Sequence, residues 1–199
     1  MKNHELNENK FLSLKNVFNK FELSPLALLP HYLHIDKVDD IMCKRKFEKL
    51  FRYGSFKVSH IHLDYIRQCD DVVLKHIIDN CDNLNDSFYL SPNLKFFTYV
   101  VAYHKNNFEI VKYLIEEKNV NLEEENIIKS TPIYYACQKS SFEVINLILD
   151  HNVRLGFKND EYKTQSDYLK QNNILTNDQK KIIEDRIQSI IRSRIAQGE

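Results

Sequence analysis

Residues 130–153 read STPIYYACQKSSFEVINLILDHNV, and this stretch decides the fold. Thr131 and Pro132 are typical of a helix start, because a hydroxyl caps free amides and proline at the first helical position loses no hydrogen bond. The pattern predicts a first helix over about residues 132–139 and a second helix after it, with apolar residues at helical spacing on one face. The segment is therefore expected to form an antiparallel helical hairpin.

The two corners of this hairpin carry serine and asparagine, in a chain with only three glycines. Ser140 and Ser141 make the inner corner and offer a cap for the second helix. Asn152 ends that helix where the chain turns through a left-handed conformation, which asparagine tolerates. A hairpin of this plan normally has glycine at both corners, so Ser140 is expected to cost some stability.

The hairpin pattern recurs along the chain with a period near 33. FEIVKYLIEEKNV at residues 108–120 matches FEVINLILDHNV at residues 142–153, with the phenylalanines 34 apart and the Asn-Val pairs 33 apart. A third copy begins at Thr164, which lies one period after Thr131 but is not followed by proline. Residues 63–85 have the rhythm of a further, earlier hairpin. A period of this length is typical of stacked helical repeats.

The run Thr131-Pro132-Ile133-Tyr134-Tyr135-Ala136 resembles the ankyrin repeat, whose signature is T-P-L-H-x-A with two helices in about 33 residues. The resemblance is carried mainly by residues 93–158, extends to residues 60–92 and 159–195, and is absent before about residue 55. It implies an all-α ankyrin-repeat solenoid of about three to four helical hairpins, with a helical N-terminal extension and a C-terminal capping helix.

The ends of such a stack need units that cover the apolar face of the neighbouring hairpin. From Thr176 the sequence starts with a capping box formed with Gln179 and continues as an amphipathic helix, for which lying on a membrane surface is the alternative to capping the stack. We expect a disordered tail at 1–9, a helical N-terminal extension at 10–55, ankyrin repeats at 56–174 and a C-terminal capping helix at 175–199.

Composition argues against several classes of protein. Basic and acidic side chains number 28 each, so no bulk attraction to nucleic acid is expected. No stretch approaches the eighteen or so apolar residues of a membrane span, and MKNHELNENK has no apolar run that would act as a secretory signal. We therefore expect a soluble, cytoplasmic protein that neither binds nucleic acid nor inserts into a membrane.

The sequence favours neither a metal site nor a catalytic site. The cysteines show no CxxC pair and are expected to be reduced core thiols, and Cys137 has the pattern of an ordinary buried cysteine. No nucleophile elbow, phosphate-binding loop or dinucleotide fingerprint occurs. We expect no cofactor, no metal and no enzymatic activity. One His/Cys set was considered for zinc and matches no common arrangement: His60, His62, Cys69, His76 and Cys81.

The loop between repeats that precedes the hairpin at 130–153, called a finger here, has two notable features. The acidic run 123–125 is either a solvated loop or an acidic tip that meets a basic partner. Ile127 and Ile128 are apolar where the ankyrin plan usually exposes its finger. They therefore form either an interface hot spot or a finger that folds back on the neighbouring unit.

The ankyrin family usually recognises a protein partner through its fingertips and through the first helix of each repeat. This resemblance implies a non-enzymatic protein-interaction module with affinity from a few apolar or aromatic anchors surrounded by polar groups. Carried over by register, the partner-binding candidates are Ile127, Ile128, Ser130, Tyr135, Gln138 and Lys139, with His104 and Lys105 in the preceding repeat and Asp160, Glu161 and Lys163 in the next.

The N-terminal block distantly resembles an F-box over residues 24–52. Tyr32-Leu33 stands where that family has a Tyr-Leu pair, and residues 43–47 stand for its Cys-Lys-aromatic cluster, but the spacing is shorter than in that family. The resemblance implies an adaptor that binds the F-box-binding subunit of a ubiquitin ligase, in the manner of effectors that pathogens deliver into a host cytosol. The alternative is a helical cap that packs on the first repeat.

Overall fold

The computed structural model describes residues 56–57, 63–68, 71–79, 81–85, 87–88, 91–104 and 107–198. The chain divides into two compact units, Met1–Asn83 and Leu84–Glu199. The predicted disordered tail, the whole of the predicted N-terminal extension and the F-box-like segment lie outside the described residues. Their assignments stay predictions.

The described part of the first unit is a short helical hairpin flanked by a parallel ladder. Its elements are β1 (Phe56–Lys57), α1 (Leu63–Gln68), α2 (Asp71–Asp79) and β2 (Cys81–Asn83). Strands β1 and β2 pair in parallel, with Phe56 opposite Cys81. Side chains at helical spacing on α1 and α2 are buried, as the repeat pattern predicts, and they are Ile66, Leu74, Ile77 and Ile78.

The second unit holds two full hairpins and a third with a long second helix. Its elements are β3 (Ser87–Phe88), β4 (Ser91–Lys95), α3 (Phe96–Tyr103), α4 (Phe108–Glu116), α5 (Pro132–Lys139), α6 (Phe142–Leu149), α7 (Gln165–Lys170) and α8 (Asn177–Gln197). Strands β3 and β4 form an antiparallel pair that the helical pattern did not predict. All of these strands are short, and the prediction of an all-α solenoid is confirmed.

The helices stack in two rows. The first helices α3, α5 and α7 contact one another in sequence order, and so do the second helices α4, α6 and α8. Helix α8 therefore occupies the second-helix position of the third hairpin, with Ile183 and Ile187 buried. The capping box of Thr176 and Gln179 is present. Among the described residues, no helix combines the length and apolarity that crossing a membrane requires.

The hairpin at 130–153 forms, with α5 at the predicted bounds, while α6 ends at Leu149, three residues before the predicted end at Asn152. Ser141 caps α6, and its hydroxyl accepts a hydrogen bond from the Val144 amide at 3.4 Å. Pro132 occupies the first turn of α5. Thr131 has the extended conformation of a capping residue, but its side chain makes no capping hydrogen bond. The prediction of a capping role for this hydroxyl was therefore wrong.

The inner corner needs no glycine. Ser140 has φ −99° and ψ 170°, an extended conformation open to any residue. Its buried hydroxyl donates to the Val101 carbonyl oxygen at 2.7 Å, so it ties α5 to the preceding hairpin. The predicted stability cost of this serine was wrong, because the corner turns without a left-handed residue and the serine adds a buried hydrogen bond.

The outer corners do turn through left-handed residues. Asn152 has φ 55°, and Asn119, the equivalent residue of the preceding repeat, has φ 49°. The prediction for Asn152 is confirmed. Asparagine reaches this region at lower cost than other residues with a Cβ atom.

Asn119 offers a direct test of this corner, because its side chain is exposed. Replacing Asn119 by alanine should lower the free energy of unfolding by about 1 kcal/mol, since alanine is strained at positive φ. Replacing it by glycine, the matched control, should leave that free energy within about 0.5 kcal/mol of the wild-type value. Urea denaturation followed by circular dichroism measures both. Equal losses for alanine and glycine would contradict a conformational origin.

Candidate interaction surface

The first finger, residues 121–130, is a turn closed by one asparagine. The Asn126 carboxamide oxygen accepts hydrogen bonds from the backbone amides of Ile128 at 3.0 Å and Ser130 at 2.9 Å. The Asn126 amide donates to the Ser130 carbonyl at 3.1 Å, and Lys129 sits in the turn with φ 55°. A polar side chain thus holds the backbone of the turn in one shape.

The second finger, residues 154–163, has the same geometry in the next repeat. The Asn159 carboxamide oxygen accepts from the backbone amides of Glu161 and Lys163, each at 3.0 Å. The Asn159 amide donates to the Lys163 carbonyl at 3.0 Å, and Tyr162 has φ 60°. The two turns are therefore copies of one structure in spite of their different sequences.

The two fingers are joined to each other. The carboxamide nitrogen of Asn159 donates to the Ser130 hydroxyl at 2.8 Å and to the Tyr168 hydroxyl at 3.0 Å. The Asp160 amide donates to the Ile128 carbonyl at 3.0 Å. Asn159, Ser130 and Tyr168 are buried. The fingers form a preorganised pair.

Two large apolar side chains stand out from the tips of this pair. Ile127 is 67% exposed on the first finger, and Tyr162 is 81% exposed on the second. A salt bridge of 3.3 Å between Lys129 and Asp160 connects the fingers, with both side chains partly exposed. Ile128 is half-buried. Ile127 is presented to solvent, as the hot-spot alternative requires. Ile128 is partly covered, which is closer to the alternative of a finger that folds back.

Helix α5 adds polar side chains beside the fingers. The Tyr135 hydroxyl accepts a hydrogen bond from the Asn126 carboxamide nitrogen at 2.8 Å. Burial raises the pKa of Tyr135 to about 12, so this phenol is protonated at neutral pH. Gln138 donates to the side chain of Gln171 at 2.8 Å and so links α5 to the residue after α7.

Lys139 is exposed at the end of α5, and its ammonium lies 5.3 Å from the ring centroid of Tyr103. This is within the range of a cation–π contact between adjacent first helices. Tyr103 and Tyr162 are surface aromatics that the sequence analysis missed. The repeat register could have located Tyr162, because it occupies in the second finger the position that Lys129 occupies in the first.

Two predicted partner-binding residues lie inside the fold. Ser130 is 1% exposed and His104 is 5% exposed, so neither presents its side chain to a partner. Ser130 instead receives the hydrogen bond from Asn159 that joins the fingers. Lys105 lies outside the described residues. Partner binding by the remaining candidates stays a prediction, and they lie at or near the surface: Ile127, Ile128, Tyr135, Gln138, Lys139, Asp160, Glu161 and Lys163.

The acidic run 123–125 lies on a partly exposed loop and forms ion pairs within the chain. Arg154 binds Glu123 at 2.9 Å through Nε and binds Glu125 through its Nη2 atom. Glu124 pairs with Lys95 at 3.1 Å. All three carboxylates are therefore neutralised within the chain, and they fix the base of the first finger.

The burial of the Cys137 thiol and the grouping of the possible metal-ligating side chains bear on catalysis and metal binding. Burial raises the pKa of the Cys137 thiol, which keeps it in the unreactive protonated form at neutral pH. Within the described part of the chain, no three His, Cys, Asp or Glu side chains gather in a group that could hold a metal ion. Of the His/Cys set that matches no common zinc arrangement, Cys81 alone has a described side chain, and it is half-buried.

Comparison with known proteins identifies the repeat array. A family model described as Ankyrin repeats (3 copies) matches residues 66–164. Alpha-latrotoxin-Lg1a of Latrodectus geometricus is 31% identical over 78 residues, which are 38% of this chain and 6% of the toxin. The chain thus spans only a small part of the length of this curated relative. Ankyrin repeats are protein–protein interaction modules and are generally not enzymes. Through residues 66–164, the chain belongs to the ankyrin repeat family.

Proposed function

We propose that this chain binds a partner protein through its two fingertips, with the adjoining polar residues of α5 at the rim. The observation that carries the proposal is the exposure of Ile127 and Tyr162 on turns that Asn126 and Asn159 hold in a fixed shape. Exposed apolar side chains on a rigid, polar-rimmed surface are typical of interaction hot spots.

The energetics favour these side chains as anchors. Burying an isoleucine side chain stabilises a complex by about 1.5–3 kcal/mol, and little ordering entropy is lost because the turns are already fixed. The charged side chains around the tips, Lys129, Asp160, Glu161 and Lys163, sum to zero. The matching partner surface is therefore apolar at its centre and carries no large net charge.

Replacing Ile127 by aspartate should reduce capture of the partner at least about 10-fold, because a buried carboxylate replaces an apolar anchor. The full chain is immobilised and incubated with a lysate of cells in which it naturally acts. The captured proteins are then quantified by mass spectrometry against the wild-type chain. Circular dichroism checks that the variant keeps its helix content.

The matched control is Ile182→Asp, since Ile182 is 54% exposed in the second turn of α8 and lies outside both fingers. This variant should capture the same partner at the wild-type level. Retention of the partner by Ile127→Asp, or equal losses in both variants, would exclude the first fingertip as an anchor.

The ubiquitin-ligase adaptor is a second proposed role, and it rests on the F-box-like pattern of residues 24–52. In that role the fingers select a substrate in the cytoplasm, or in a host cytosol if the chain is an effector. Binding of the full chain to the F-box-binding subunit should be lost on deleting residues 24–52 and unchanged in Ile127→Asp. Absence of binding by the full chain would exclude the adaptor role.

A further inference from the structure

A cleft of about 160 Å³ opens between the base of the two fingers and the start of α5. Its lining includes Thr131, Tyr134, Arg154, Phe157 and Lys158. Pockets for drug-sized ligands and cofactors span about 300–1,000 Å³, whereas a cavity of about 150 Å³ accommodates a benzene-sized group. The cleft therefore matches one amino-acid side chain rather than a nucleotide or another cofactor.

The electrostatics of the cleft favour an anion. Three basic residues and one acidic residue line it, and the acid, Glu125, is already bound to Arg154. Lys129 is paired with Asp160. Lys158 is exposed and has no ion pair among the residues that the structure describes. It is thus the lining cation available to a new negative charge.

The N-terminal end of α5 adds to this preference. Thr131 and Tyr134 bring the start of the helix to the cleft, and the first turn of α5 contains no acidic residue. The positive end of the helix dipole therefore has no negative side chain of its own helix beside it.

One of the lining residues, Thr131, has an unsatisfied polar group beneath the surface of the cleft. Thr131 is 2% exposed, and its hydroxyl is a buried side-chain atom without a hydrogen-bond partner in the described structure. Buried polar groups are nearly always paired, so an orphan of this kind requires an explanation. By contrast, the Tyr134 hydroxyl is held in place, since it donates to the Phe157 carbonyl at 2.7 Å.

We propose that this cleft receives an acidic side chain, glutamate or aspartate, from the partner that the fingers bind. The carboxylate pairs with Lys158 at the rim and lies beside the N-terminal end of α5, where Thr131 lines the cleft. Phe157 covers the aliphatic part of the inserted side chain. The inference rests on the proposed function for the source of the side chain, while the carboxylate preference of the cleft is testable on its own.

The test uses the full chain and two small probes of the same shape, N-acetyl-glutamate N-methylamide and N-acetyl-glutamine N-methylamide. Backbone amide signals are followed by NMR while each probe is added. A probe of this size that fits its site is expected to have a dissociation constant on the order of 1 mM, and the titration extends to about 20 times that concentration. The glutamate probe should shift the Gly156 and Lys158 signals saturably, and the glutamine probe should bind at least several-fold more weakly.

Lys158→Gln should weaken binding of the glutamate probe about 5-fold or more, while Lys181→Gln, which changes an exposed lysine on α8, should leave it unchanged. Equal binding of the two probes, shifts confined to other residues, no shifts, or an unchanged affinity in Lys158→Gln would each overturn the proposal. Because the probes do not need the fingertips, partner capture that survives Ile127→Asp excludes the first fingertip as an anchor without affecting this result.

Discussion

Replacing Asn159 by alanine is expected to lower the free energy of unfolding by about 3 kcal/mol. Asn159 is buried, and its carboxamide makes four hydrogen bonds, two to backbone amides of its own finger and two to the hydroxyls of Ser130 and Tyr168. Alanine removes all four, and the two residues whose hydroxyls lose a donor are themselves buried. A polar group left unpaired in the interior costs about 1–3 kcal/mol.

Urea denaturation monitored by circular dichroism measures this loss. Asn173→Ala is the matched control, because Asn173 is exposed in the turn between α7 and α8 and should change the free energy of unfolding by less than about 0.5 kcal/mol. A loss of under about 1 kcal/mol for Asn159→Ala would show that water replaces the carboxamide and that the fingers are not rigidly joined.

The largest expected effect comes from the core of the stack. Ile148 is fully buried on α6, and this helix contacts α4, α5 and α8. Ile148→Ala should lower the free energy of unfolding by about 4 kcal/mol, because it removes buried methyl groups and leaves a cavity among packed helices. Thermal unfolding followed by circular dichroism or calorimetry should show a large fall in the melting temperature.

Ile182→Ala is the matched control, since Ile182 is 54% exposed on α8 and has the same side chain. This change should cost less than about 0.5 kcal/mol. If the two alanine variants lost similar stability, α6 would not be the centre of the repeat packing. A separate early transition in Ile148→Ala would show that the hairpins unfold independently of one another.

The periodic apolar pattern predicted the hairpins well, because each hairpin must bury one face against its neighbours. The bounds of α5, the start of a second helix after Ser141 and the left-handed Asn152 were predicted from residues 130–153 alone, although α6 ends three residues earlier than predicted. The strands between Phe56 and Lys95 were not predicted, since strands this short leave no periodic signal.

Predictions from the sequence were wrong where a side chain's partner lies in another repeat. Ser140 was expected to destabilise its corner, yet its hydroxyl binds Val101 in the preceding hairpin. Ser130 was assigned to the surface, yet it binds Asn159 in the following finger. Local pattern reading assigns a polar residue to solvent or to a cap, and only the packed structure shows which repeat supplies its partner.

The candidate site was predicted by position more than by chemistry. Register placed Ile127 and Asp160 at finger positions, and the structure places both at the tips. The roles of Asn126 and Asn159 were not predicted, because asparagine is frequent in this chain and its closure of a turn depends on amides further along the same loop.

The way in which the fingers are closed determines which of their residues can be substituted without loss of stability. Asn126 and Asn159 close their turns by accepting from backbone amides, so the closure does not depend on the side chains of Ile127 and Tyr162. Asp160 and Glu161 add exposed ion pairs. Substitutions at these tips therefore alter what the surface recognises at little cost in stability. The fingers are suited to a randomised library, in which new specificities are selected while the two asparagines and the helices behind them stay fixed.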